Sequence, residues 1–438
     1  MRFDGDFGNK GNKNLFDFNV NGVDWWHIKG INSALINRTM KIGANTGIKF
    51  EKCTSYPIWG GVGRYSNSNS SVELIRCRHL TGDNRSMSWR AHKTAGYWFQ
   101  HFRSAHLFDA ANVGSGSTFT LSHCTLFGWF DEGLPSTNGG TITVDHCAIL
   151  NNVDDAYQCH TDGSLQIIRT YCYVFGGPFR SSDGNKSDGS TVHWIEHHNV
   201  YYQPGIPMLW KPYGSNQNGV TGVAPNSMYT QHSSKGKARK CMYNTIICSA
   251  DCGKQTGRGP MMSTGDAGTN VPAGAAHEVF NNLICLIATK RYPTPDSTGD
   301  SMTRGISCDA ATAGIHRYDH HLWFRSLPGA NASPFFLDVQ DSRSVNRANY
   351  PSLAAFRASP HKATSHSMYS DGTQGHEEHG VQENPQFRDL ANRDFRPQSA
   401  GATSGAKNVT SIIGGSFENW KGALDPSGDG TDVGPRNP

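Results

Sequence analysis

Two pairs of adjacent carboxylates stand out as residues that could do chemistry: Asp131-Glu132 and Asp154-Asp155, each seven residues after a cysteine, Cys124 and Cys147. Asp83 and Asp109 follow Cys77 and Phe102 by six and seven residues, which extends the pattern into an acidic column. Carboxylates a few ångström apart repel and raise one another's pKa unless they share a hard cation such as calcium. The same pairs could serve hydrolysis, one carboxyl as general acid and the other as base or nucleophile. Aspartate also favours turns in which it caps its own backbone, and that reading stays open. A second row is basic. His101, His123 and His146 each precede the cysteine position, which Lys52 and Arg76 do in earlier copies. Such a row lines one turn edge, as a surface stack of imidazoles or as groups for acid–base work or anion contact. Trp129, Trp194, Trp210, Tyr201, Tyr202 and Tyr213 follow on the same units, and exposed rings stack well on the apolar faces of sugars.

These residues need a scaffold that stacks them, and the chain carries one in its period. Thr118-Phe-Thr-Leu-Ser-His-Cys124, Thr141-Ile-Thr-Val-Asp-His-Cys147 and Leu165-Gln-Ile-Ile-Arg-Thr-Tyr-Cys172 repeat one pattern, with spacings 147 − 124 = 23 and 172 − 147 = 25. Earlier copies end at Ile31, Cys53, Cys77 and Phe102. A β-rich unit recurring at this interval means a solenoid, each turn contacting only its neighbours. Leu74, Phe99, Leu121 and Val144 are expected to point inward and stack, with the cysteines as small apolar groups in a column. Beyond Cys172 the copies at 194–200, 241–246 and 279–284 carry asparagine there, suited to bonding the turns above and below. His316 to Trp323 reads as one more turn, and Pro351 to Phe356 as a short helix.

The expected organisation is a β-solenoid over 1–330, with long loops at about 204–236, 253–274 and 288–313, then a cap and irregular tail over 331–438. A net charge of +4 on 438 residues gives no case for nucleic acid, and the basic run Lys235 to Lys240 reads as a solvated loop. No apolar run is long enough to span a membrane, and Met1 to Asp6 lacks the apolar core of a signal peptide. Eleven cysteines, mostly in register with the repeat, speak against a disulfide framework, and no CxxC or Cys/His set signals zinc.

The rungs over roughly residues 20 to 330 resemble the right-handed parallel β-helix superfamily of pectate-lyase-like proteins, which includes polysaccharide lyases and phage-type depolymerases. The stretch Tyr350 to Gly401, with Glu383-Asn-Pro-Gln-Phe387 and Arg393-Asp-Phe-Arg396, looks like the end common in bacterial and viral members. The order Val144-Asp-His-Cys147, Asp154-Asp155, Arg180-Ser-Ser-Asp183 is similar to one pectate lyase family, though without its tryptophan before the Asp-His pair. The resemblance implies an all-β single-stranded right-handed parallel β-helix with calcium at Asp154 or Asp155, and the acidic column adds Asp131 and Glu132 as further ligands of that cation. It implies Arg180 as the base, with His160, Lys186 and Lys211 as further candidates. Trp129, Trp194, Trp210, Tyr213, His123 and His146 would contact an acidic polysaccharide. The expected function is calcium-assisted lysis of a uronate polymer. The alternatives are a glycoside hydrolase and a non-catalytic glycan-binding or structural viral spike, extracellular or on a virion surface and trimerising along its length.

Overall fold

The computed structural model describes residues 14–18, 23–36, 38–42, 46–57, 63–65, 71–80, 108–109, 118–127, 140–150, 165–175, 179–181, 192–203, 229–231, 237–248, 262–264, 277–286, 306–309, 317–325, 337–341, 346–350, 352–358, 377–391, 394–409, 411 and 422–423. They form an all-β, solenoid-like fold. A ten-stranded parallel sheet runs from Val23–Lys29 to Arg317–Asp319, and an eleven-stranded parallel sheet from Asn32–Ile36 to Val381–Gln382. Each strand of the first sheet leads directly into one of the second. Two shorter sheets complete the set; the second of these ends in an antiparallel pair, Leu337–Asp341 with Asn346–Tyr350. Among the described residues no helix is long and apolar enough to cross a membrane.

Register makes the repeat physical. Phe119 pairs with Ile142 and Leu121 with Val144, and all four are buried. Fully burying side chains of this size is worth roughly 1.5–3 kcal/mol each. Trp26 pairs with Ile48 and Ile28 with Phe50, so the phase begins where the sequence places it. The sequence places a turn through Tyr97 to Phe102 between the copies ending at Cys77 and Cys124. Strand Ser71–Ile75 pairs directly with Thr118–Ser122, Leu74 facing Leu121. These two are neighbours in the ten-stranded sheet, and Tyr97 to Phe102, with His101, lies outside the described residues. Of the proposed acidic column, Asp109 pairs with Arg64 in the four-stranded sheet, while Asp83, Asp131 and Asp154 lie outside the described residues.

Between the two long sheets the chain turns on a single residue. Lys52, Arg76, His123, His146, Tyr171, His198, Tyr243, Asn281 and His320 all have φ between 48° and 60°. This left-handed conformation is costly for residues with a Cβ, and Gly30 takes the same place in the first turn with φ 71°. The conformation keeps the ladder unbroken: His123 N–H donates to Asp145 O at 3.0 Å, and Ala148 N–H on the far side to Cys124 O at 2.9 Å. It also turns the next side chain inward. That column reads Cys53, Cys77, Cys124, Cys147, Cys172, Asn199, Asn244, Asn282 and His321, all buried.

The column satisfies the one backbone N–H per turn that the sheets leave open. Cys77 N–H donates to Cys124 Sγ, and Cys124 N–H to Cys147 Sγ, each at 3.4 Å. From Cys172 onward the acceptors become asparagine Oδ1 atoms at 2.9 Å, on Asn199, Asn244 and Asn282 in turn. Cys53, Cys77, Cys124, Cys147, Cys172, Cys241 and Cys285 are buried thiols. Burial holds the Cys147 and Cys285 thiols well above the usual range.

The stretches expected as long loops each contribute a three- or four-residue strand to the six-stranded sheet: Tyr229–Gln231, Met262–Thr264 and Ile306–Asp309. The basic run is not a loop either, since Lys237–Met242 is a strand of the first sheet. The helix Leu353–Arg357 forms as expected, capped by Ser352 Oγ accepting from Ala355 N–H at 3.1 Å. Beyond it the chain returns along the coil. Phe395, Ala402 and Ala423 bury Val200, Ile247, Leu283 and Leu322 on the outer side of the second sheet, while Val409 covers Met242 and Phe280.

Candidate functional site

The corner row is where chemistry-bearing side chains gather among the described residues. Because each corner residue adopts the same backbone conformation one turn above the last, their rings align. His123 stacks on His146 with centroids 4.8 Å apart and planes 1° apart. His146 stacks on Tyr171 at 4.8 Å, Tyr171 on His198 at 5.0 Å, and His198 on Tyr243 at 5.0 Å. These spacings match the separation of neighbouring strands. The row is open at its first members and closed at its last, where Tyr243 O–H donates to Lys407 O at 3.3 Å and Asn281 Nδ2 donates to the same carbonyl at 2.8 Å.

The residues just before the corner supply hydrogen-bond partners. Ser122 Oγ lies 2.8 Å from His123 Nδ1. Asp145 Oδ2 lies 2.8 Å from His146 Nδ1, and Thr170 Oγ1 donates to Asp145 Oδ1 at 2.7 Å. Burial works to raise the Asp145 pKa. The hydrogen bonds from His146 and Thr170, with the charges of His146 and His123, outweigh it and hold the carboxyl below its ordinary range. One turn on, His197 Nδ1 and His198 Nδ1 lie 2.9 Å apart. Burial pulls His197 down to about 4, against the opposing charge of Asp145, and depresses His198 as well, helped by His197. At neutral pH the row thus offers a carboxylate paired with an imidazole, beside two imidazoles held neutral. Such a set can donate to an anion or exchange protons with a bound group.

Of the residues expected at the site, His123 and His146 come together in this row. Arg180 lies in strand Phe179–Ser181 of the six-stranded sheet, paired with Thr230. Trp194 stands in strand Val192–His197, at the register of Ile167. Asp131, Glu132, Asp154, Asp155, His160, Lys186, Lys211, Trp129, Trp210 and Tyr213 lie outside the described residues. Two of the aromatic rings proposed for sugar contact are otherwise engaged. Tyr201 is buried in the core, and Tyr202 packs against Phe395 at 5.0 Å.

Three features escaped the sequence. Arg169 and Glu196 occupy the inward column of Leu121 and Val144, fully buried and ion-paired with each other. The Arg169 guanidinium also sits over the Tyr201 ring, 5.4 Å from its centroid. At the far end of the column, His321 Nδ1 meets the buried carboxylate of Glu377, while Nε2 lies 3.1 Å from Asn282 Nδ2. Beside it, Asp319, His320 and His379 bring three potential metal-ligating atoms within 4.8 Å of one another. The triplet Asp319-His320-His321 repeats Asp145-His146-Cys147 in register, a signal that was legible; the arrival of His379 was not.

No protein-family model matches the chain, and neither a curated protein nor a solved structure does so.

Proposed function

We propose that this chain is a carbohydrate-active protein, built as a single-stranded right-handed parallel β-helix, that cleaves an acidic, uronate-containing polysaccharide by calcium-assisted β-elimination. One observation carries the reading. Strand Thr125–Phe127 pairs in register with Ala148–Leu150, so that Phe127 and Leu150 are vertical neighbours. Asp131-Glu132 and Asp154-Asp155 follow these two residues at the same offsets, four and five along the chain. Equivalent positions on neighbouring parallel strands are about 4.8 Å apart, within reach of one shared cation. Calcium bound there would neutralise the uronate carboxylate and stabilise the charge that develops on it. Arg180, or one of His160, Lys186 and Lys211, then takes the proton next to that carboxylate. Its electrons form the new double bond as the glycosidic oxygen departs. His123 and His146 donate hydrogen bonds to the acidic polymer along the corner row. Trp129, Trp194, Trp210 and Tyr213 supply faces for the sugar rings. An acidic polymer as partner fits an extracellular or virion-surface setting and a homotrimer.

Incubation with a panel of uronate polysaccharides, with and without calcium, tests this reading. A lyase produces ultraviolet-absorbing unsaturated ends, stops with chelator, and loses that product in Asp154→Ala and Arg180→Ala. Reducing ends without the absorbance would mean hydrolysis. Retention of the glycan with neither product would mean a binding or structural role.

A further inference from the structure

We propose that Asp319, His320 and His379 form a binding site for a divalent transition-metal ion of the zinc class, which ties the C-terminal segment to the last turn of the coil. The donor set, two imidazole nitrogens and a carboxylate oxygen, is the one borderline-soft cations take, with a fourth position left for water. The three side chains arrive from two parts of the chain. Asp319 and His320 close the last strand of the first sheet and its corner, and His379 comes from a segment 379 − 320 = 59 residues later.

Each ligand is held by a partner of its own. Asp319 Oδ1 accepts the backbone N–H groups of His320 and His379, both at 2.7 Å. Oδ2 accepts a hydrogen bond from His379 Nδ1, whose proton an incoming ion replaces, and the backbone bonds bring His379 into place without one. His320 Nδ1 donates to Gly405 O at 2.9 Å. In the neutral ring Nε2 then carries the lone pair, and it lies 3.8 Å from Asp319 Oδ2. Two acceptors facing each other at that distance make no hydrogen bond; a cation between them turns repulsion into two bonds. Fixing a histidine's tautomer through a backbone carbonyl is how proteins orient metal-binding imidazoles.

The spacing suits the ion. His379 Nδ1 lies 2.7 Å from Asp319 Oδ2. The two distances from Oδ2, 2.7 and 3.8 Å, bracket the ~3.3 Å edge of a tetrahedron built on ~2.0 Å zinc bonds. The His379 side chain is 48% exposed, which gives the ion a path and lets the ring adjust from its stacked position on His320. Lys407 bears on His320 with like charge, which the Asp319 carboxylate opposes.

The full chain, stripped with chelator and dialysed, is titrated with zinc in competition with a fluorescent chelator, and separately with cobalt(II). The expected result is one tight zinc site per chain and cobalt d–d absorption in the visible, with a chelator-reversible rise in unfolding temperature. His379→Ala leaves Asp319 and its backbone hydrogen bonds in place. It should weaken zinc at least ~10-fold and abolish the cobalt bands, and His379→Cys, a substitute ligand, should restore them. The other 20 − 2 = 18 histidines could hold zinc elsewhere. Equal affinity in parent and His379→Ala, or no binding by the parent at micromolar zinc, overturns the proposal.

Discussion

Acid should weaken the fold at His197 and His198 while most carboxylates are still ionised. The perturbation is a drop from about pH 7.5 to about pH 4.5. His197 titrates at about 4 in the folded chain against 6.5 for the free side chain, because burial disfavours the imidazolium. Below 6.5 the unfolded chain therefore binds a proton that the folded chain refuses. Stability is complete above that pH and falls as pH drops toward 4. At about pH 4.5 nearly two pKa units have been crossed, which costs about 2.5 kcal/mol at 1.36 kcal/mol per unit. His198 shifts the same way and adds to the loss. The 2.9 Å contact between the two Nδ1 atoms can hold one proton, so protonating both rings also breaks it. The assay is denaturant unfolding at both pH values for the parent and for His197→Asn, whose amide can still bond to His198 but does not titrate. The variant should lose about 2.5 kcal/mol less than the parent on acidification. Equal losses, or a His197 imidazole resonance titrating at its ordinary pH, would refute the reasoning.

Removing one partner of the Arg169–Glu196 pair strands a charge in a fully buried column. Glu196→Gln should lower stability by about 3–5 kcal/mol, while Arg169→Leu with Glu196→Leu together should cost much less than the sum of the single changes. Thermal unfolding of Glu196→Gln, of the two single leucine variants and of their double variant checks this, and additive losses would contradict it. Asn244 Oδ1 accepts from Asn199 N–H at 2.9 Å, and its Nδ2 donates to Glu196 O at 3.2 Å. Asn244→Leu leaves both backbone groups buried and unmet, for a loss of roughly 2–5 kcal/mol. Asn244→Cys should cost less than half of that, because cysteine fills the same place five times in the column; unfolding midpoints of the two variants decide it.

How much of this was legible turns on whether a feature repeats. The inward columns, the corner histidines and the switch from cysteine to asparagine recur once per turn, and in-register parallel pairing turns sequence recurrence into vertical contact. Those features were open to reading from the residues alone. The three-residue strands at Tyr229–Gln231 and Met262–Thr264 are too short to carry a period, and their Gly/Pro-rich surroundings read as loop. The direct pairing of Ser71–Ile75 with Thr118–Ser122 shows the converse, that recurrence along the chain does not by itself give the order of strands in the stack. Arg169 and Glu196 are residue types that ordinarily stay in solvent. Only the pairing of Arg169 with Val144 places them inside, where each charge is tolerable because the other is there. His379 meeting Asp319, and Phe395 lying over Tyr202, depend on the path the chain takes after the coil ends. No pattern records that path, since it is decided by which outer surfaces of the last turns remain to be covered.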